Sequence, residues 1–219
     1  MNIAVIGSNR GIGLEFVKQL SKDNKVHAFC RKSSKELDQL KGVKVFENID
    51  TTDTKGMADQ VNKLESSTYD QVIVVSGILS SESLDDWSDD KILDQFKVNS
   101  LGALNCARIF SQNLNKAGKI GVLSSRMGSI SDNDSGGMYG YRMSKAAINA
   151  GCKSLAQDLK SQEKTVLILH PGYVKTDMTN HNGNIDTSES VKGLIKIMNE
   201  KNLDDTGTFW HTNGEPLPW

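Results

Sequence analysis

The strongest constraint on this chain is an alternation of two kinds of segment. Short, nearly continuous apolar runs of strand type occur at 2–6, 25–30, 43–49, 71–76, 119–124, 165–170 and 207–211. Longer polar segments with helical spacing separate them. Leu14, Val17 and Leu20 make one helical stripe, Met57, Val61 and Leu64 a second, and Ile92, Phe96, Leu101 and Leu104 a third. Unbroken hydrophobicity suits strands that are covered on both faces. Strand and helix in repeated alternation predict an α/β fold with a mostly parallel sheet, doubly wound by right-handed crossovers. The spacing predicts seven strands, one helix over 89–116 and another over 138–161.

The 219 residues suit a single domain. Prolines stand only at 171, 216 and 218, and no Pro/Gly/Ser-rich linker divides the chain. Basic residues number 26 and acidic ones 27, a formal net charge of −1. That balance carries no electrostatic footprint for nucleic acid. The apolar runs fall far short of the roughly 18 residues a membrane helix needs. The opening residues lack the basic and then apolar pattern of a signal peptide. Cys30, Cys106 and Cys152 are odd in number and widely spaced, so they form neither a disulfide framework nor a zinc pattern. The expectation is a cytoplasmic protein with reduced thiols, no structural metal, no nucleic-acid partner and no membrane association.

Gly7, Gly11 and Gly13 lie in GSNRGIG, directly after the first strand and opening the first helix. In open α/β sheets, ligands bind at the carboxyl ends of strands where the strand order reverses. Glycines let the backbone approach a pyrophosphate, and the helix N-terminus favours its charge. The spacing is G-x-x-x-G-x-G rather than the common G-x-G-x-x-G, and a turn required only for tight packing has the same composition. The second strand ends at Cys30-Arg31-Lys32, where such a fold places the adenosine ribose. Arginine there, with Arg10 inside the turn, suits a 2′-phosphate, so NADP(H) is expected over NAD(H). A solvated basic patch is the plainer alternative.

Tyr141 and Lys145 are four apart in a long helical pattern and therefore share a face. A phenol ionises near pH 10, and a nearby ammonium and a positively charged nicotinamide both favour the phenolate. Such a tyrosine can protonate a carbonyl oxygen, or deprotonate an alcohol in reverse. Tyr139 is six residues from Lys145 and points elsewhere on the helix. Taken alone, a Tyr-x-x-x-Lys spacing is common on helices.

The glycine turn followed by Tyr141-x-x-x-Lys145 resembles the short-chain dehydrogenase/reductase family, and further motifs fall in the family's order along nearly the whole chain. The resemblance implies a Rossmann-type sheet and an oxidoreductase that interconverts a carbonyl and an alcohol with NADP(H). It implies a tetrad of Asn99 in KVNSLGAL, Ser125 in VLSSRMGS, Tyr141 and Lys145. It implies cofactor contacts from Gly7, Ser8, Asn9, Arg10, Gly11, Ile12, Gly13, Arg31, Asp50 and Gly77, from Tyr141 and Lys145, and from Pro171, Gly172, Val174 and Thr176 in HPGYVKTDM. Within that scheme Asp50 contacts the adenine ring, Ser125 holds the substrate oxygen, and Asn99 holds a water that links Lys145 to solvent. SSRMGSI, DNDSGGMYGYRMSKAAIN and the closing NGEPLPW are similar to the C-factor and sniffer branch, which adds an NADP-binding signalling protein as the alternative. A methyltransferase also uses a glycine turn, and the Tyr141–Lys145 pair argues against it.

One departure from the family pattern follows the fourth strand. Val74, Val75, Ser76 and Gly77 stand where Asn-Asn-Ala-Gly is usual. The two valines have good strand propensity and can replace bracing amides by packing. The segment after Thr176 is short and polar, which implies an open substrate pocket with Met178, Met127 and Met138 as candidate lining and His181 as a solvated bystander. A homodimer or homotetramer is expected across the helices at 89–116 and 138–161, with Ile109, Phe110, Ala147, Ala150 and Leu155 as apolar contacts; the same residues can equally cover the sheet.

Overall fold

The computed structural model describes residues 1–64 and 68–219. Strands β1 (Asn2–Ile6), β2 (Lys25–Phe29), β3 (Val43–Phe46), β4 (Tyr69–Val74), β5 (Leu114–Leu123), β6 (Thr165–His170) and β7 (Thr208–His211) form one sheet in the order β3-β2-β1-β4-β5-β6-β7. Every neighbouring pair is parallel, with Ile6 beside Val74 at the centre. This is the Rossmann-type doubly wound, seven-stranded sheet that the apolar runs predict. The strand order reverses between β1 and β4, so the crevice beyond Ile6 and Val74 is where such a sheet takes a ligand.

Helices α1 (Gly11–Leu20), α2 (Lys35–Asp38) and α7 (Thr187–Glu200) bury Phe16, Val17, Leu37, Val191 and Met198 against one face of the sheet. Helices α3 (Thr54–Asn62), α5 (Ala103–Phe110) and α6 (Tyr139–Lys160) bury Met57, Phe110, Ile148 and Cys152 against the other. Ile3, Val5, Ile73 and Leu167 serve the first cluster and Ala4, Ile6, Val72 and Val166 the second. That division is the two-residue period of a strand covered on both sides.

The single helix expected over 89–116 is broken. It consists of α4 (Asp89–Phe96), a π-helical turn (Lys97–Gly102), α5, and a 3₁₀ turn (Ser111–Asn113), and Leu114 already belongs to β5. Ser88 caps α4 by accepting the Lys91 N–H at 3.3 Å, and Asp89 and Asp90 complement the helix dipole. At the π turn the Thr51 carbonyl comes so close that a Cβ on Gly102 would stand 3.1 Å from it. The loop after β3 packs closely on this turn. Ile109 and Phe110 belong to the core rather than to an outer face. Phe110 is fully buried and meets the Phe29 ring edge-on at 5.0 Å.

All three cysteines are unpaired and buried. Burial raises each thiol above its ordinary value, Cys152 to about 12. Among the described residues no His, Cys, Asp and Glu cluster could hold a metal ion, and no helix is long and apolar enough to cross a membrane.

Candidate active site

A cleft of about 400 Å³ opens at the switch point of the sheet. Its walls are the glycine turn (Gly7, Asn9, Arg10, Gly11, Ile12 and Gly13), Cys30 and Arg31 after β2, and the loop from Ile49 to Thr52. Val75, Ser76, Gly77 and Ile78 follow β4, and Ser124, Tyr141, Lys145, Pro171, Thr176, Asp177 and Met178 close the far side.

The glycine turn is required sterically. A Cβ on Gly13 would lie 2.0 Å from the Gly7 carbonyl oxygen, so only glycine lets α1 pack this tightly onto the end of β1. The Arg10 side chain makes no capping bond to α1, whose N-terminus faces the cleft. The turn is held from outside by Gly7 N–H donating to the Phe29 carbonyl at 2.9 Å and by Asn9 Nδ2 donating to the Lys32 carbonyl at 3.1 Å. Ser8 is a correction to the expected cofactor contacts. It is fully buried, its hydroxyl donates to the Phe29 carbonyl at 3.0 Å, and it does not line the cleft. Its role is to tie β1 to β2.

Arg10 and Arg31 both line the cleft, whereas Lys32 does not. Arg10 pairs with Asp177 at 3.3 Å, but both side chains are mostly exposed, and such a pair contributes at most about 1 kcal/mol. The guanidinium is therefore easily exchanged to another anion. Asp50 accepts both the N–H and the hydroxyl of Thr52, at 2.8 and 2.7 Å. Those bonds, with the Arg31 charge, hold its carboxyl below the usual carboxylate range. Sequence reasoning assigned no role to Ser76, which lines the cleft with a buried hydroxyl oxygen that has no hydrogen-bond partner among the described residues. Val74 and Val75 replace bracing amides by packing, as expected: Val74 is buried in one cluster, Val75 packs against the other, and the Val75 N–H donates to the Ile6 carbonyl at 2.9 Å.

The predicted chemical residues converge on α6. Tyr141 and Lys145 share one face of it, with the Lys145 Nζ 5.7 Å from the centre of the Tyr141 ring. Burial raises the Tyr141 phenol above its ordinary value, and the neighbouring Ser125 hydroxyl offsets part of that shift. Desolvation, not the ammonium, sets the direction of the shift. At neutral pH the phenol keeps its proton. Lys145 is 4% exposed, donates to the Leu123 carbonyl at 3.1 Å, and is pulled by burial down to about 8. Ser125 is fixed by the Met127 N–H, which donates to its hydroxyl at 3.2 Å. The loop that carries it lies directly on α6: a Cβ on Gly128 would stand 2.6 Å from the Lys145 carbonyl carbon.

Asn99 sits in the π turn and is fully buried. Its Oδ1 accepts the Ile78 N–H at 2.7 Å, and its Nδ2 donates to the Ile78 carbonyl at 2.9 Å and to the Ser144 hydroxyl at 3.0 Å. The side chain that was expected to hold a water is occupied with protein groups and braces the loop after β4. Gly172 and Val174 lie outside the residues that line the cleft; Val174 is buried and bridged to Ile185. Met178 reaches the cleft, Met127 and Met138 do not. Tyr139 packs on Trp87 at 5.1 Å, and His181 pairs with Asp177 at the surface.

The model of the short chain dehydrogenase family matches residues 1–186. A dehydrogenase from Rhodococcus sp. (strain AD45), 1-hydroxy-2-glutathionyl-2-methyl-3-butene dehydrogenase, is 32% identical over 99% of each chain. The C-signal protein of Myxococcus xanthus is 33% identical over 66% of this chain and 87% of its own. Among solved structures, the carbonyl reductase Sniffer of D. melanogaster superposes with a TM-score of 0.92 at 27% identity, covering 100% of this chain and 99% of that one. An NADPH-bound carbonyl reductase from chicken fatty liver superposes with a TM-score of 0.89 at 27% identity, covering 100% and 98%. The glycine turn, the Tyr141–Lys145 face and these matches together place the chain in the short-chain dehydrogenase/reductase family, beside its C-factor and sniffer-like members.

Proposed function

We propose that this protein is an NADP(H)-dependent reductase that converts the carbonyl of a small ketone or aldehyde to an alcohol, and the alcohol back in reverse. One observation carries the reading: Tyr141 and the buried Lys145 share one face of α6 in the cleft of the glycine turn, and the loop that carries Ser125 packs directly on that helix. The cleft suits a dinucleotide. Gly11, whose Cβ position has nothing nearer than the Thr176 methyl at 3.8 Å, leaves room beside the N-terminus of α1, and Ser76 offers a buried hydroxyl without a partner among the described residues. Gly7, Asn9, Arg10, Gly11, Ile12 and Gly13 would hold the pyrophosphate, Arg10 and Arg31 a 2′-phosphate, Asp50 the adenine, and Gly77, Pro171 and Thr176 the nicotinamide half. A nicotinamide bound there supplies the hydride.

The rest of the chemistry belongs to the chain. Tyr141 gives its proton to the substrate oxygen as negative charge develops there. Ser125 donates a second hydrogen bond to that oxygen, aimed at the same charge. Lys145 has three N–H donors and commits one to the Leu123 carbonyl, so others remain for ribose hydroxyls. As its pKa is about 8, it is mostly charged at neutral pH and stabilises the phenolate that Tyr141 becomes.

NADPH oxidation over a panel of aldehydes, ketones, diketones and quinones tests this reading. Tyr141→Phe is expected to lower kcat at least about 100-fold with the NADPH Kd nearly unchanged, as for loss of a general acid. An unchanged kcat removes Tyr141 from the chemistry. Equal turnover with NADH and NADPH at the same subsaturating concentration removes the role given to the two arginines. Tight NADPH binding without turnover of any carbonyl favours the signalling alternative.

A further inference from the structure

The loop after β4 carries a buried carboxylate that the chemistry above does not use. Glu82 is 3% exposed, in a stretch otherwise rich in exposed acids. It holds the start of α6 twice. Its backbone carbonyl accepts the Met138 N–H at 3.1 Å, and its Oε2 accepts the Gly140 N–H at 3.1 Å. Its other oxygen accepts from the amide of Gln95 in α4, which is fully buried. Gln95 Oε1 in turn accepts the Ser80 N–H at 2.9 Å. The fit is close, since a Cβ on Gly140 would stand 2.6 Å from Gln95 Nε2.

Gln95 and Asn99 are four residues apart, one leading into the π turn and one inside it. Together they fix the loop at Ser80 and Ile78, and each also reaches α6. Asn99 does so through Ser144, whose hydroxyl donates to the Tyr141 carbonyl at 2.8 Å. Gln95 does so through Glu82 and Gly140, the residue before Tyr141. The first turn of α6 is therefore clamped on both sides of Tyr141. Met138 enters the helix from the left-handed region at φ 55°, and without the clamp nothing in its own side chain caps the turn. A carboxylate also complements the positive end of this 22-residue helix.

We infer that Glu82, held by Gln95, is a positioning residue for the reduction: it sets the turn that aims the Tyr141 phenol at the substrate oxygen. The inference rests on the proposed carbonyl-reductase reading. Donor and acceptor counting makes it testable. In Glu82→Gln, two amide groups confront each other, and either the Gly140, the Ser80 or the Gln95 bond is lost. In Gln95→Glu, two buried carboxylates confront each other. The exchange Glu82→Gln/Gln95→Glu restores acceptors to Gly140 and Ser80 and a donor between the two side chains.

The experiment compares the four proteins in NADPH-dependent turnover and in backbone hydrogen exchange of the segment around Met138–Tyr141. Each single variant is expected to lose about 10-fold or more in kcat while the NADPH Kd stays within about 2-fold. Exchange at the first turn of α6 is expected to quicken in the singles, and the exchanged pair to recover both readouts to within about 3-fold of wild type. Wild-type kcat in Glu82→Gln, or a double variant no better than the worse single, overturns the inference. If wild type reduces no carbonyl, the functional reading fails by itself. Hydrogen exchange then still decides whether the Glu82–Gln95 clamp holds the turn.

Discussion

Lys145 shows how one buried charge is used and what it costs. With its pKa drawn down to about 8, against roughly 10.4 for a free lysine, its ammonium is held in the fold at a penalty. Below pH 8 both folded and unfolded chains bind the proton, and the whole penalty is present. Between pH 8 and about 10.4 the folded lysine loses its proton first, so the unfolded state holds more protons and stability rises. Relative to Lys145→Met, the wild type is expected to gain about 3 kcal/mol across that window, read by urea denaturation of both proteins at pH 7.5 and 10.5. A difference that stays constant with pH would mean that the group is solvated. Tyr141 is the complement: burial that disfavours the charged lysine also disfavours the charged phenolate, so its pKa moves upward.

At the scale of elements, the glycine turn sets how close α1 approaches β1. In Gly13→Ala the new methyl meets the Gly7 carbonyl oxygen, a backbone atom that cannot rotate away. A loss of at least about 2 kcal/mol is expected by chemical denaturation, with weaker NADPH binding, because the turn must open to admit the methyl. The same scale shows what the sequence discloses. Parallel strands buried on both faces are written as continuous apolar runs, so all seven were legible, as were Tyr141 and Lys145, whose pairing needs only the helical period. The break in the helix over 89–116 was not legible. A π turn changes the register by one residue without interrupting the apolar stripe, and the Thr51 carbonyl packed against it lies far away in the chain. Glu82 was hidden for a similar reason. A glutamate in SSESLDDWSDD has the composition of a solvated loop, and only the fold brings Gln95 and Gly140 to it. Ser8 and Asn99 misled in the opposite direction, because a motif names a residue but not which way its side chain turns.

At the scale of the whole molecule, the outer surface of α4, the π turn and α6 carries Leu93, Leu101 and Met143 at 54%, 51% and 54% exposure, with Ala150 also exposed beside the buried Ile148. The core claims Ile109 and Phe110, so Leu93, Leu101 and Met143 are the large apolar side chains of these helices that stay exposed, and we propose that a second copy of the chain covers them. Sedimentation is expected to show a homodimer or homotetramer, and Leu101→Glu with Met143→Glu to shift it towards monomer with little change in Tm; a monomeric wild type would leave this face without that role. The three thiols complete the picture of the surface. Cys30, Cys106 and Cys152 are all enclosed, with their ionisation pushed upward. Electrophiles approaching from solvent consequently meet none of the three as an exposed thiolate.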